Sequence, residues 1–281
     1  MINFDKFKLN CSNIGTLIGA SFKEKPLTEN QERELFILNN KKKLTEKQKK
    51  RLNFLNVKIN NYNPNAISNT IKSELIKIYA YEQYNKIQIV RKSDAIFSWM
   101  KGTMVEMESI KLLSELDGVE YVKNEKLYSN KFIKGVPDII DKKNKKIIDI
   151  KSSVDIVSFL NNIDKELDRV YEYQLKGYIE LTKSDYGEVC FCLVNAPPDL
   201  IKAEIKKENI KNLLYNKDNE YSKKSIDLLN NSMIFDDIPM EKRVIRYKVI
   251  KDKESMKLVY NKILSVREWL KAFHEKHMNN G

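Results

Sequence analysis

Asp138 and Asp149 stand eleven residues apart in the stretch GVPDIIDKKNKKIIDIKSS (residues 135–153), and Lys151 follows two places after the second acid. The Ile-rich segments on either side of the polar residues 141–144 read as two short strands joined by a turn. Side chains alternate along a strand, so Asp149 and Lys151 point one way while Ile150 points into the core. The turn brings Asp138 beside Asp149. Two ionised carboxylates that close repel each other unless a proton or a cation lies between them. A hard divalent ion with oxygen ligands suits them, Mg²⁺ first. Lys151 is then placed to orient or deprotonate a water, or to stabilise charge on a phosphorane-like transition state. In a chain with 51 Lys and Arg, the competing reading of D-x-K is an exposed hairpin with solvated charges.

Two neighbouring patterns bear on that choice. In KGTMVEMESIKLL (residues 101–113), Glu106 projects from a predicted helix as a third acid, with Glu108 as the second candidate. In YEYQLKGYIEL (171–181), Gln174 and Tyr178 are four apart and share a helix face. The elements needed to position these residues follow from periodicity. Helices are expected at 65–88, 101–116, 164–182 and 253–277, and strands at 119–127, 132–140, 146–151, 188–195 and 243–250, with mixed helix and loop over 200–232. The order of helices, a strand cluster, helix, strand and helix gives an α/β or α+β fold with a central mixed sheet.

Together these motifs resemble the PD-(D/E)xK nuclease superfamily, and specifically the phage lambda-exonuclease/YqaJ-type recombination exonucleases related to RecB nuclease domains. Pro137-Asp138 and Asp149-Ile150-Lys151 match the core motif, Gly102 and Glu106 the G-x-x-x-E helix, and Gln174 and Tyr178 the Q-x-x-x-Y helix. Ser12 opens an S-x-(apolar)-(G/A)-x-x-x-G element, which the family uses near the DNA end. The likeness covers about residues 10–20 and 100–195.

The resemblance implies a restriction-endonuclease-like core in one nuclease domain (1–281); residues 27–58, a helical hairpin insertion, and 200–281, a C-terminal extension, lie outside the likeness. It implies Mg²⁺, with Mn²⁺ as a substitute, held by Glu106, Asp138, Asp149 and the backbone carbonyl of Ile150. Lys151 would be the catalytic lysine assisting the attacking water. Gln174 and Tyr178 would organise the site and contact the DNA backbone, and Ser12 would bond a phosphate near the substrate end. The Arg that often precedes that Ser is absent; only Lys6 and Lys8 are there, and Lys offers a point charge rather than a bidentate fork. The implied activity is degradation of linear duplex DNA from an end, in phage-type recombination. A homo-oligomer (a trimer in lambda-type relatives) and a single-strand annealing protein are the partners such a role suggests. The rival functions are a structure- or sequence-selective endonuclease on the same fold and a DNA-binding accessory protein without chemistry.

The charge distribution adds to this. Of the net +12, residues 23–58 hold +6 and residues 241–281 another +6, around a nearly neutral middle. The flanks could contact a polyanion and the middle could hold the cation. Residues 27–41 and 44–58 are an internal repeat, LTENQERELFILNNK against LTEKQKKRLNFLNVK, each opening on Thr with Gln three residues later. That is a capping-box pattern, so an αα-hairpin is expected. Lys41, Lys42 and Lys43 at its connection read equally as a DNA-contacting arm or as a solvated face.

Other chemistries are set aside. Three cysteines (Cys11, Cys190, Cys192) are too few for a disulfide framework or a four-cysteine iron–sulfur cluster, and Cys190 and Cys192 read as buried small hydrophobes. His274 and His277 lack zincin spacing and read as a solvated C-terminal turn. Tyr79, Tyr81 and Tyr84 read as helix packing, and Trp99 and Trp269 as core or hinge aromatics. No glycine-rich phosphate loop occurs, no apolar run reaches the roughly 18 residues of a membrane span, and residues 1–20 lack a signal-peptide core. No membrane association and a cytoplasmic setting, in a bacterial host if the gene is a phage's, are the expectations.

Overall fold

A computed structural model describes residues 3–19, 26–61, 67–86, 102, 104–215 and 219–279. In chain order the strands are β1 (Leu9–Asn10), β2 (Tyr128–Ser129), β3 (Ile133–Gly135), β4 (Ile139–Asp141), β5 (Lys146–Ser152), β6 (Tyr186–Cys192) and β7 (Val244–Ile250). The helices are α1 (Cys11–Gly19), α2 (Glu29–Asn39), α3 (Glu46–Asn60), α4 (Asn69–Tyr84), α5 (Glu106–Asp117), α6 (Ile156–Leu160), α7 (Arg169–Thr182), α8 (Pro198–Leu214), α9 (Asn219–Asn231) and α10 (Lys253–Asn279). The chain divides into two units, Lys8–Gly15 with Gln88–Met256, and Met1–Phe7 with Thr16–Ile87 and Lys257–Gly281. Trp99 and the starts of the helices expected at 65 and 101 lie outside the described residues. No helix among the described residues is long and apolar enough to cross a membrane.

The larger unit is built on the sheet β4-β5-β6-β7, antiparallel at both ends and parallel between β5 and β6. A mixed sheet flanked by helices is the α+β arrangement expected from the sequence. Strand β5 is buried over its first five residues, as an interior strand with both faces covered must be. Ile148 and Ile150 join Cys190, Cys192 and Val194 against Ile110, Leu112 and Leu113 of α5 in one apolar cluster. Asp149 and Lys151 alternate to the other face, where Asp149 meets Gln174 of α7. A second, three-stranded sheet is ordered β1-β3-β2.

Two strand expectations are corrected. Residues 119–127 form no strand; only a single bridge, Lys123 to Ile139, touches the sheet there. The polar loop is held instead by Asn124, whose side chain donates to the carbonyls of Lys126 and Pro137. The strand expected over 132–140 is split between the two sheets, as β3 and β4. Pro137 sits at the break, and a residue without an N–H cannot continue a ladder. Residues 200–232, expected to mix helix and loop, lie largely within α8 and α9.

Helix α7 is fixed from two sides. Lys176, only 8% exposed, pairs with Glu172 at 2.7 Å and Asp252 at 3.1 Å and donates to Ser255. The Ser255 hydroxyl and N–H, more than burial or Lys176, set the Asp252 carboxyl, which is pushed down to about 2. On the other side α1 crosses α7 at backbone contact. A Cβ on Gly15 would lie 2.2 Å from Val170 Cα, and one on Gly177 2.9 Å from Cys11 Sγ. Only glycine permits so close a crossing.

In the smaller unit both copies of the repeat are helices opened by complete capping boxes, Thr28 with Gln31 and Thr45 with Gln48. Leu27, Leu38 and Leu55 form their own buried cluster, and Arg51 grips Glu34 through two nitrogens at 2.8–3.1 Å. His274 is half-buried, not solvated, and Tyr79 shares a hydrogen bond with its Nδ1 at 2.7 Å, while His277 is exposed in the last turn of α10 and shares one with Tyr84. Two tyrosines five residues apart on α4 and two histidines three residues apart on α10 make these pairs. Of the three tyrosines read as packing, Tyr79 is buried and Tyr81 exposed, and Trp269 stacks on Phe273.

The α1–α7 crossing yields a prediction. Gly15→Ala drives a methyl into the Val170 backbone, which cannot rotate away, and should destabilise the protein by about 1–3 kcal/mol. A thermal melt checks it; an unchanged Tm contradicts the close crossing.

Candidate active site

Strand β4 runs antiparallel to β5 with Ile139 opposite Ile148, so one step on, Asp138 faces Asp149. The turn between them is closed by Asp141, whose carboxylate accepts from the backbone and side chain of Asn144 at 3.0 and 2.7 Å. Strand β4 begins only at Ile139, so the Ile150 N–H has no strand partner on that side. It donates to Asp138 Oδ2 at 2.7 Å. A residue's N–H and C=O leave a strand on the same side, so the Ile150 carbonyl also points toward Asp138.

Asp149 is 1% exposed. Gln174 Nε2 donates to its Oδ1 at 3.1 Å and lies 3.2 Å from the Tyr178 hydroxyl, to which it also donates. Its Oδ2 lies 2.7 Å from Lys151 Nζ, an ion pair whose angles fall outside those of a hydrogen bond, so this buried oxygen has none. Glu106, at the first turn of α5, pairs with Lys123 at 2.6 Å. Glu106, Asp138, Asp149, Ile150, Lys151 and Gln174 line one cleft of about 790 Å³. Tyr178 stands behind Gln174.

Burial and then the neighbouring Asp149 charge push the Asp138 carboxyl up to about 7, against the opposing pull of the Ile150 N–H and Lys151. Burial also raises Asp149, against Lys151. Burial would lower the Lys151 ammonium, but Asp149, Asp138 and Tyr171 outweigh it and hold the group above the ordinary lysine range. Tyr178 is raised, by burial first and then by Asp149, and stays a neutral phenol.

These residues fit a divalent cation on one direct observation, a buried Asp149 carboxylate oxygen with no hydrogen bond, facing a second carboxylate, Asp138, across the β4–β5 pair. Asp138, Asp149 and the Ile150 carbonyl would be the oxygen donors to it. Among the described residues no three His, Cys, Asp or Glu side chains already close on one point as a metal cage, and Glu106 is engaged by Lys123.

The remaining residues singled out in the sequence lie elsewhere. Ser12 is exposed on the first turn of α1, and Lys8 Nζ donates to Ser129. Lys41, Lys42 and Lys43 are exposed on the connection between α2 and α3, in the other unit. Sequence reasoning missed Lys123, which no spacing marks, and Tyr171, which lies three residues before Gln174 and lines the cleft. Helical spacing was the available signal for Tyr171. The serines and amide that complete the rim (Ser152, Ser153, Ser158, Asn162) carried no motif.

No family model and no curated protein matches the sequence. Solved structures do match the fold. A phage-related exonuclease from Haemophilus somnus 129PT is similar over 97% of both chains, with a TM-score of 0.64 and 18% identity. The alkaline exonuclease LHK-Exo from Laribacter hongkongensis is similar over 98% of this chain and 94% of its own, with a TM-score of 0.54 and 9% identity. Its complex with dAMP matches over 76% and 86%, with a TM-score of 0.50 and 11% identity. At these identities the likeness establishes a fold shared with exonucleases.

The carboxylate pair contributes a pH-dependent cost to stability. In chelator above pH 7 the folded protein must ionise Asp138 against its surroundings, a cost on the order of 1–4 kcal/mol. The cost fades as pH falls through about 7 and is gone near the ordinary carboxylate value, where both states are protonated. Asp138→Asn should therefore raise Tm at pH 8 and confer nothing at pH 4, while Mg²⁺ should raise Tm of the parent alone. A variant that melts below its parent at pH 8 contradicts the carboxylate repulsion.

Proposed function

We propose that the chain is a divalent-cation-dependent DNA exonuclease that hydrolyses linear duplex from an end. The observation that carries this reading is the convergence of Asp138, Asp149 and Lys151 at the end of one buried strand, in a fold shared with exonucleases. The dAMP complex of LHK-Exo supports a mononucleotide as the released unit.

Asp138, Asp149 and the Ile150 carbonyl would hold the cation, with Glu106 joining them when it leaves Lys123. When bound, the cation supplies Lewis-acid polarisation of the phosphodiester and lowers the pKa of a water. The protein's own groups do the rest. Gln174 fixes the rotamer of Asp149 through its Oδ1, leaving Oδ2 for the cleft, and Tyr178 fixes Gln174. Lys151 presents positive charge where the phosphoryl oxygens gain negative charge in the transition state. The hydroxyl and amide rim of Ser152, Ser153, Ser158 and Asn162 offers hydrogen bonds to a phosphate backbone. The exposed Lys41, Lys42 and Lys43 serve as a sequence-independent DNA contact, and Ser12 bonds a phosphate near the substrate end.

With Mg²⁺, end-labelled linear duplex should yield mononucleotides while covalently closed circles stay intact, and Lys151→Ala should abolish release. Nicking of the circle would point to an endonuclease, and binding with no Mg²⁺-dependent product to a protein without chemistry. Replacing Lys41, Lys42 and Lys43 by Ala should weaken DNA binding at low salt. If all three contact phosphates, the slope of log K against log salt should flatten by about 2.7; an unchanged slope makes them solvated surface charges.

A further inference from the structure

The Lys151 side chain is constrained from two directions. Its Nζ lies 2.7 Å from Asp149 Oδ2 and 5.1 Å from the centroid of the Tyr171 ring, over its face. The ion pair sets a distance but not a direction, because Asp149 Oδ2 makes no hydrogen bond of good geometry. A four-carbon stem with free rotamers would otherwise let the ammonium swing through the cleft. The aromatic face supplies the missing constraint, since its negative quadrupole attracts a cation along the ring normal.

The ring is itself held in place. Tyr171 meets Phe191 edge-on, with centroids 5.8 Å apart and planes at 72°. Phe191 meets Tyr247 in the same way, at 6.0 Å and 85°. The Tyr247 hydroxyl lies against the carbonyls of Asn162 and Lys165, to either of which its one proton can be donated. Three rings, from α7, β6 and β7, thus run as a column from the cleft to the segment that leads into α7. Edge-to-face contacts of this kind fix ring orientation beyond what apolar burial does.

We propose that Tyr171 is a positioning residue, whose ring face holds the Lys151 ammonium in register with the Asp138–Asp149 pair. The ring face turned to Lys151 is occupied by the ammonium and is closed to a stacking nucleobase. The inference rests on the role given to Lys151 in the proposed function.

The test compares Tyr171→Phe, Tyr171→Leu and a series with mono-, di- and trifluorophenylalanine at position 171. It measures kcat and KM on linear duplex with Mg²⁺, DNA affinity in chelator, and Tm. Tyr171→Phe keeps the ring face and should hold kcat within about twofold, whereas Tyr171→Leu should lower kcat roughly three- to thirtyfold with KM and DNA affinity little changed. Ring fluorination drains the quadrupole at nearly constant bulk, so kcat should fall stepwise along the series. A Tyr171→Leu protein with parental kcat, a rise in KM alone, or a flat fluorinated series overturns the inference. If Tyr171→Leu does not fold, the fluorinated series decides. A parent without Mg²⁺-dependent hydrolysis, or one whose Lys151→Ala variant stays active, overturns the reading of the site itself and is recognised before position 171 is compared.

Discussion

Burying Asp149 beside Asp138 removes two carboxylates from water, and the structure around them offsets that cost contact by contact. A buried ionised group needs both a counter-charge and hydrogen bonds. Lys151 provides the charge from two residues along the same strand. The Ile150 N–H provides a hydrogen bond to Asp138 because β4 ends one residue short of it, and Gln174 provides one to Asp149. Each contact needs an element at a set height. Strand β5 must be interior, α7 must lie close enough for an amide to reach the strand, and α1 must lie close enough to brace α7. The glycines at that crossing and the buried Lys176 node are thus part of the same electrostatic arrangement as the cleft.

What was legible in the sequence follows from how local each determinant is. The alternation that sends Ile150 one way and Asp149 and Lys151 the other is a property of six consecutive residues, and it is observed. The capping boxes of α2 and α3 are equally local and are present in full. The strand expected over 119–127 was not legible, because Val and Tyr at intervals favour a strand only when a partner strand is available. Here Asn124 satisfies the loop from its side chain instead. Pro137 marked a break that the apolar run around it concealed. Lys123 and the column beneath Lys151 depend on residues 17 to 85 positions from those they serve, and single-chain periodicity does not report at that range. The role of Tyr79 and Tyr84 toward the two histidines was hidden for the same reason, with nearly two hundred residues between partners.

The two copies of the hairpin repeat also bear on how the protein reaches its native state. Their contacts lie almost entirely within some thirty residues of chain, each copy carries its own start signal, and their leucines bury one another. Such a segment can order on the timescale of local helix pairing. The sheet cannot, because β5, β6 and β7 are separated by connections of about thirty to fifty residues, and the β5–β6 pair is parallel. Loop closure must precede any gain from those strands. The β4–β5 hairpin that sets Asp138 beside Asp149 is itself local, so the two carboxylates meet while water still screens them, and the cost of burying them arises only when β6 and α7 close over the pair.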